Sequence, residues 1–165
     1  MKTNEFIQLS LTMSKNWACQ LLEDMKDEPL AQPTSRGGNH PLWVLGHLVH
    51  AESFFFDECM QGKPHRFPES KDLFAAGTEP HTDAAKYPSM DQLLANWDKI
   101  RGESLALLDT LSAEDLDNAT SAPEEFADFF GTNAKCFSAM IVHTSFHAGQ
   151  VADARRAVGR KPLMM

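Results

Sequence analysis

The sequence has little of what builds β-sheets, disulfide frameworks or membrane spans. It contains one tyrosine in 165 residues, and its valine, isoleucine and threonine are scattered, which argues against a sheet protein. Three cysteines without a CxxC pair predict neither a disulfide framework nor a cysteine zinc site. No apolar stretch approaches the ~18 residues that cross a bilayer, and the N-terminus lacks the apolar core of a signal peptide. We therefore expect a cytoplasmic protein without a membrane partner.

No run of lysine or arginine interrupts the acidic charge of the chain. The formal net charge is −8, so its surface would repel a phosphate backbone, and a nucleic-acid partner is not expected. A length of 165 residues fits a single domain, 1–165, whose core needs no structural metal to fold.

Apolar residues recur at helical spacing in four segments, and two long irregular stretches separate them. In the first segment the apolar residues that recur mostly at spacings of three and four are Phe6, Ile7, Leu9, Met13, Trp17, Leu21 and Leu22. Gly37 and Gly38 break the chain before the second, and Asn39 or His40 can cap it. The predicted helices run from Asn4 to Met25, Asn39 to Gly62, Ser89 to Leu111 and Thr132 to Val158, with crossovers at Gly62–Pro88 and Asp117–Gly131. This pattern predicts an all-α fold, a four-helix bundle with long crossover connections.

Two of the seven histidines, His143 and His147, are four residues apart on the last predicted helix. Imidazoles at this spacing project from one face and can bind one metal ion together. The spacing alone is a weak signal, because composition gives roughly 0.3 such pairs by chance. The apolar residues around the pair strengthen this signal. Burying an imidazole in a core costs desolvation free energy unless the ring forms a hydrogen bond or binds a metal.

A third histidine, His47, lies on the inward stripe of the second helix, so three imidazoles from two helices could hold a metal with open positions. His50 could replace His47 or orient a ligand, and Gln150 could orient a ligand or bind substrate. The alternative is that these histidines only fill the core. Glu52 and Asp57 are expected to be solvated.

Several better-defined catalytic motifs are missing. Residue 144 is threonine, which excludes the HExxH motif of zinc proteases, and no Glu-x-x-His pair of a di-iron bundle occurs. P-loop, GxGxxG and GxSxG motifs are also absent from the sequence.

Two runs resemble the DinB-like (DinB/YfiT) family of metalloenzymes. Leu42-Trp43-Val44-Leu45-Gly46-His47-Leu48 followed by Glu52 is similar to its second-helix signature. His143-Thr144-Ser145-Phe146-His147-Ala148-Gly149-Gln150 is similar to its last-helix H-x3-H-x-G-Q motif. Helix order, the Leu111–Leu116 segment and a tail with Arg155, Arg156, Gly159 and Pro162 agree as well.

The resemblance implies a bundle of crossed up-down-down-up order, commonly a homodimer, with a divalent metal, nickel or zinc, on three histidines. Carried over by position, these ligands are His47, His143 and His147. Characterised members resemble one another as thiol-dependent enzymes that act on small molecules with bacillithiol or mycothiol, including a maleylpyruvate isomerase. The expected function is a metal-dependent thiol S-transferase with a low-molecular-weight thiol as co-substrate. A metal-dependent hydrolase and a non-catalytic bundle that binds a metal or small ligand remain alternatives.

Overall fold

The computed structural model describes residues 1–35 and 38–163, and across these ranges all regular structure is helical. Gly37, part of the predicted break before the second helix, lies outside them. The prediction of an all-α four-helix bundle is confirmed. Each of the two crossovers contains a short α-helix. The four long helices are α1 (Thr3–Glu23), α2 (Pro41–Ser53), α4 (Met90–Thr110) and α6 (Asn133–Ala157), and the two short ones are α3 (Lys71–Phe74) and α5 (Ala127–Phe130).

Local sequence signals account for the helix ends. The His40 side chain accepts a hydrogen bond from the backbone N–H of Trp43 at 3.0 Å and caps α2, with Pro41 in the first turn. Ser89 caps α4 in a reciprocal arrangement with Gln92. Gly159 ends α6 at φ +80°, a left-handed conformation that glycine adopts without steric cost.

Helix α2 is the central element. Every residue from Pro41 to Val49 is buried, and the helix packs against α4 and α6. After Ser53 it continues as a π-helical segment, Phe54–Met60, a form often found at functional sites. Apolar residues lie on nearly every side of α2, as expected for a helix in the centre of a bundle.

The carboxylates of α2 and its extension are buried rather than solvated, and the expectation for Glu52 and Asp57 was wrong. Glu52 is 3% exposed, and its Oε2 accepts a hydrogen bond from Nη2 of Arg101 at 2.8 Å. Asp57 is paired with Arg66. Both carboxylates are therefore charged partners inside the bundle, where an unpaired charge would be costly.

The apolar residues of α1 are divided between a buried and an exposed side of the helix. Leu11 and Leu22 are buried, whereas Phe6, Leu9, Met13 and Trp17 are exposed. The predicted helix is present, and only one of its apolar sides packs against α4 and α6.

Among the described residues, no helix is long and apolar enough to cross a membrane.

Candidate metal centre

The structure brings His47, His143 and His147 together between α2 and α6. Nε2 of His143 lies 3.0 Å from Nε2 of His47 and 3.1 Å from Nε2 of His147. The two residues on α6 are one helical turn apart, so both rings leave the same face. Three ring nitrogens from two helices thus converge on one point.

Two neighbouring groups fix the orientation of the rings. Nδ1 of His47 donates to the backbone carbonyl of Phe74 in α3 at 2.7 Å. Nδ1 of His147 donates to Oε1 of Gln150 at 2.9 Å, and the Asn39 amide donates to the same oxygen at 3.3 Å. A hydrogen bond at one ring nitrogen directs the other toward a metal, so both contacts leave Nε2 free to coordinate.

A proton count shows that the cluster fits a cation. His47 and His147 each hold their proton on Nδ1, so each Nε2 presents a lone pair. Nε2 of His143 faces both lone pairs and can offer them one proton at most. At least one lone pair therefore lacks a donor, and a cation shared by the three atoms would satisfy all of them.

The three histidines would not fill the coordination shell of a divalent ion. Three neutral imidazoles supply three ligand atoms, which would leave at least one position for substrate or water.

Burial keeps the cluster in the neutral form that binds metal. It lowers the pKa of His143 to about 3 and that of His147 to about 4, and it also lowers the pKa of His47. Aromatic side chains surround the three imidazoles. Trp43 stacks on His47 at 4.6 Å and 11°, while Phe55 and Phe146 present edges to His143 and His147 at 5.8 and 5.1 Å.

His50 lies outside this cluster. Its Nδ1 bonds Oγ of Ser70 at 2.7 Å, and its ring lies 4.3 Å from that of His65. Gln150, in contrast, does contact a cluster histidine. Among the described residues, the group that could hold a metal consists of the three histidines and includes no carboxylate or thiol.

Sequence reasoning missed the role of the first crossover. Phe74 supplies the carbonyl that orients His47, and its ring packs on Gly46. A Cβ at Gly46 would lie 2.0 Å from the Phe74 ring, so only glycine permits this approach. The glycine immediately before His47 was the one available signal.

These features define a class of protein, a four-helix bundle with a three-histidine cluster between its second and last long helices. The sequence model of the DinB superfamily matches residues 17–151, and the chain belongs to that superfamily. Its members bind metal, and the three clustered histidines of this chain could hold one.

The fold is similar to the crystal structure of a conserved protein from Enterococcus faecalis, with a TM-score of 0.63 and 15% sequence identity over 97% of this chain and 99% of that chain. At that identity the likeness concerns the fold alone. No curated protein matches the sequence.

Proposed function

We propose that this protein is a metal-dependent enzyme that transfers a small thiol to an electrophilic small molecule. The observation that carries the proposal is the convergence of three Nε2 atoms at 3.0 and 3.1 Å without enough protons to pair their lone pairs. His47, His143 and His147 would be the ligands. The ion they would hold is divalent, nickel or zinc, both of which accept imidazole nitrogens.

A divalent cation at this site would lower the pKa of a bound thiol or water and so supply a nucleophile near neutral pH. In the proposed transfer the thiol sulfur bonds to an electrophilic carbon, and the bond from that carbon to its leaving group breaks. The leaving group takes the thiol proton, either departing as an acid, as from a haloalkane, or staying attached as an alcohol, as in an opened epoxide. The role of the chain is to hold neutral imidazoles in place and to limit water. Phe74 and Gln150 orient the rings, and Trp43 and Phe55 cover them.

Hydrolysis is the second candidate function. A divalent ion on the same three histidines would activate a bound water as well as a bound thiol, so the products have to distinguish the two reactions.

Metal analysis tests the ligand set. Wild-type protein should carry about one divalent ion per chain, and His47→Ala, His143→Ala and His147→Ala should each lose it while remaining helical. His81→Ala, at an exposed histidine, is the matched control and should retain the ion. Metal-free wild type after incubation with nickel or zinc would overturn the proposal.

A substrate screen separates the two reactions. With nickel-loaded protein, a panel of thiols and epoxide or haloalkane electrophiles should give thioether products. Release of hydrolysed electrophile without thioether would instead assign the hydrolase.

We also propose that the protein forms a homodimer whose interface consists of the exposed sides of α1 and α6. Phe6, Trp17 and Phe146 are 57%, 47% and 65% exposed, and a cleft of about 330 Å³ lies between the two helices. Between Glu5 and Glu23, α1 carries no acidic residue. In a chain of net charge −8, a second copy can approach this face without repulsion, which favours self-association.

Sedimentation of two charge variants tests the dimer. Met13→Lys should convert a dimer to monomers, because it places a charge at the centre of the apolar face. Gln8→Lys, an exposed position on the same helix, should leave the dimer intact. A monomeric wild type at micromolar concentration would contradict this interface.

A further inference from the structure

A chain of phenylalanine rings leads from the histidine cluster to the protein surface. The Phe55 ring lies 5.8 Å from that of His143 and 5.0 Å from that of Phe130. Phe130 in turn lies 6.0 Å from Phe126 and 6.1 Å from Phe129. Phe54 joins the group through Phe130 at 5.7 Å and Phe126 at 6.5 Å. We call these five residues, Phe54, Phe55, Phe126, Phe129 and Phe130, the phenylalanine cluster.

The outer rings of the cluster are open to solvent. Phe126 is 44% exposed and Phe129 is 67% exposed, whereas Phe55 is buried. Phe54 follows His47 by seven residues, so it lies on the same side of the α2 segment about 10 Å further along. A small molecule about 10 Å long could therefore contact the phenylalanine cluster with one end and the histidines with the other.

Hydrogen bonds hold residues 124–130, which carry the exposed rings of Phe126 and Phe129, against the rest of the protein. Oγ1 of Thr120 donates to the Phe130 carbonyl at 2.6 Å, and Nζ of Lys135 donates to the Ala127 carbonyl at 3.2 Å. At Gly131 a Cβ would lie 2.4 Å from the Ala127 carbonyl oxygen, so this tight turn into α6 requires glycine. A preformed surface binds a ligand with less loss of conformational entropy than a mobile one.

Charge around the rings limits what can bind there. Glu124, Glu125 and Asp128 are exposed on the same short segment, and Nζ of Lys135 bonds its backbone. A carboxylate or phosphate on a ligand would meet this negative field, whereas a neutral or cationic group would not. The same field opposes a second copy of this acidic chain at this surface, in contrast to the uncharged face of α1.

We propose that the phenylalanine cluster binds the aromatic or similarly flat apolar part of an uncharged or cationic small-molecule substrate, whose reactive end reaches the three histidines. The inference rests on the proposed function and specifies its substrate class. Offset and edge-to-face contacts with exposed phenyl rings give such a group its affinity. Phe126 and Phe129 are then specificity-determining residues of the second crossover.

The first test needs no metal. Amide chemical-shift perturbation of the labelled protein is followed with benzyl alcohol, benzylamine and benzoate as probes. Shifts should centre on residues 124–130 and 54–55 with the first two probes and be at least several-fold weaker with benzoate. The double variant Phe126→Ala/Phe129→Ala should lose them, and Val158→Ala, at an exposed position near the other end of α6, should keep them.

The second test links the surface to the histidines. Binding of 4-phenylbutane-1-thiol, which is about 10 Å long, and of butane-1-thiol to nickel-loaded protein is measured by charge-transfer absorbance. The double variant should weaken binding of 4-phenylbutane-1-thiol by about 3- to 10-fold, the loss expected for one aromatic contact, and binding of butane-1-thiol by less than about 2-fold.

The results separate this inference from the proposed function. Shifts that persist in the double variant, equal shifts with benzoate, or equal losses for both thiols would overturn the inference. A wild type that takes up no metal would overturn the proposed function, while the probe shifts would still report on the surface.

Discussion

The backbone carbonyl of Phe74 accepts a hydrogen bond from Nδ1 of His47 at 2.7 Å, so the first crossover holds a candidate metal ligand. This contact gives the long Gly62–Pro88 connection a role in the site. It depends on Gly46, against which the Phe74 ring packs. The crossover and the site are therefore coupled through one glycine.

Gly46→Ala should displace α3 and release His47 from its orienting carbonyl. Overpacking of this kind costs about 1–3 kcal/mol of stability, and loss of the orienting contact should weaken nickel binding by about 10- to 100-fold. Thermal unfolding and metal titration measure the two effects. Gly102→Ala, where a Cβ meets open space, is the control and should leave metal affinity unchanged. Unchanged nickel affinity in Gly46→Ala would refute the coupling.

Gln150→Ala should weaken metal binding without unfolding the protein. Its Oε1 fixes the ring of His147, and the loss of such a contact typically costs about 10- to 100-fold in affinity. Competition with a chelator of known affinity measures the change, and Gln8→Ala at an exposed position of α1 serves as the control. Gln150→Glu should retain much of the affinity, because a carboxylate oxygen also accepts a hydrogen bond from Nδ1–H. An equal loss in both Gln150 variants would argue against this role.

The local features of the fold could be predicted from the sequence, and the long-range pairings could not. The spacing of His143 and His147, the cap at Ser89 and the stop at Gly159 depend on residues within one turn. The Glu52–Arg101 pair joins residues 49 apart, and nothing near Glu52 in the chain indicates it.

The same difference between local features and long-range contacts applies to the candidate metal site. His47 was identified from its helix face and from the family resemblance. The Phe74 carbonyl was not identified from the sequence, because every residue has a backbone carbonyl and no residue type marks the one that accepts a hydrogen bond. The period of α1 was predicted, but apolar periodicity alone does not say which of its two apolar sides packs against the rest of the chain.

Arg101→Met should be among the most destabilising changes in the chain. It leaves the Glu52 carboxylate buried and without its cationic partner, which typically costs about 3–5 kcal/mol. The double variant Glu52→Gln/Arg101→Met removes both charges and should recover a large part of that loss. Urea unfolding of the two variants and wild type tests this, with Lys99→Met, an exposed position on α4, as the control. A double variant as unstable as Arg101→Met would show that packing rather than the unpaired charge sets the cost.

The metal-free protein should lose stability as the pH falls through the range in which histidine titrates. Burial lowers the pKa of His50 to about 4 and also lowers the pKa of His40. An unfolded histidine takes up its proton near pH 6.5, so between about pH 6.5 and 4 the unfolded state binds more protons, and stability declines. His50→Gln removes one such group and should make the decline shallower in thermal unfolding scans. His81→Gln, at an exposed ring, is the matched comparison, and a His50→Gln slope equal to that of wild type would contradict the assignment.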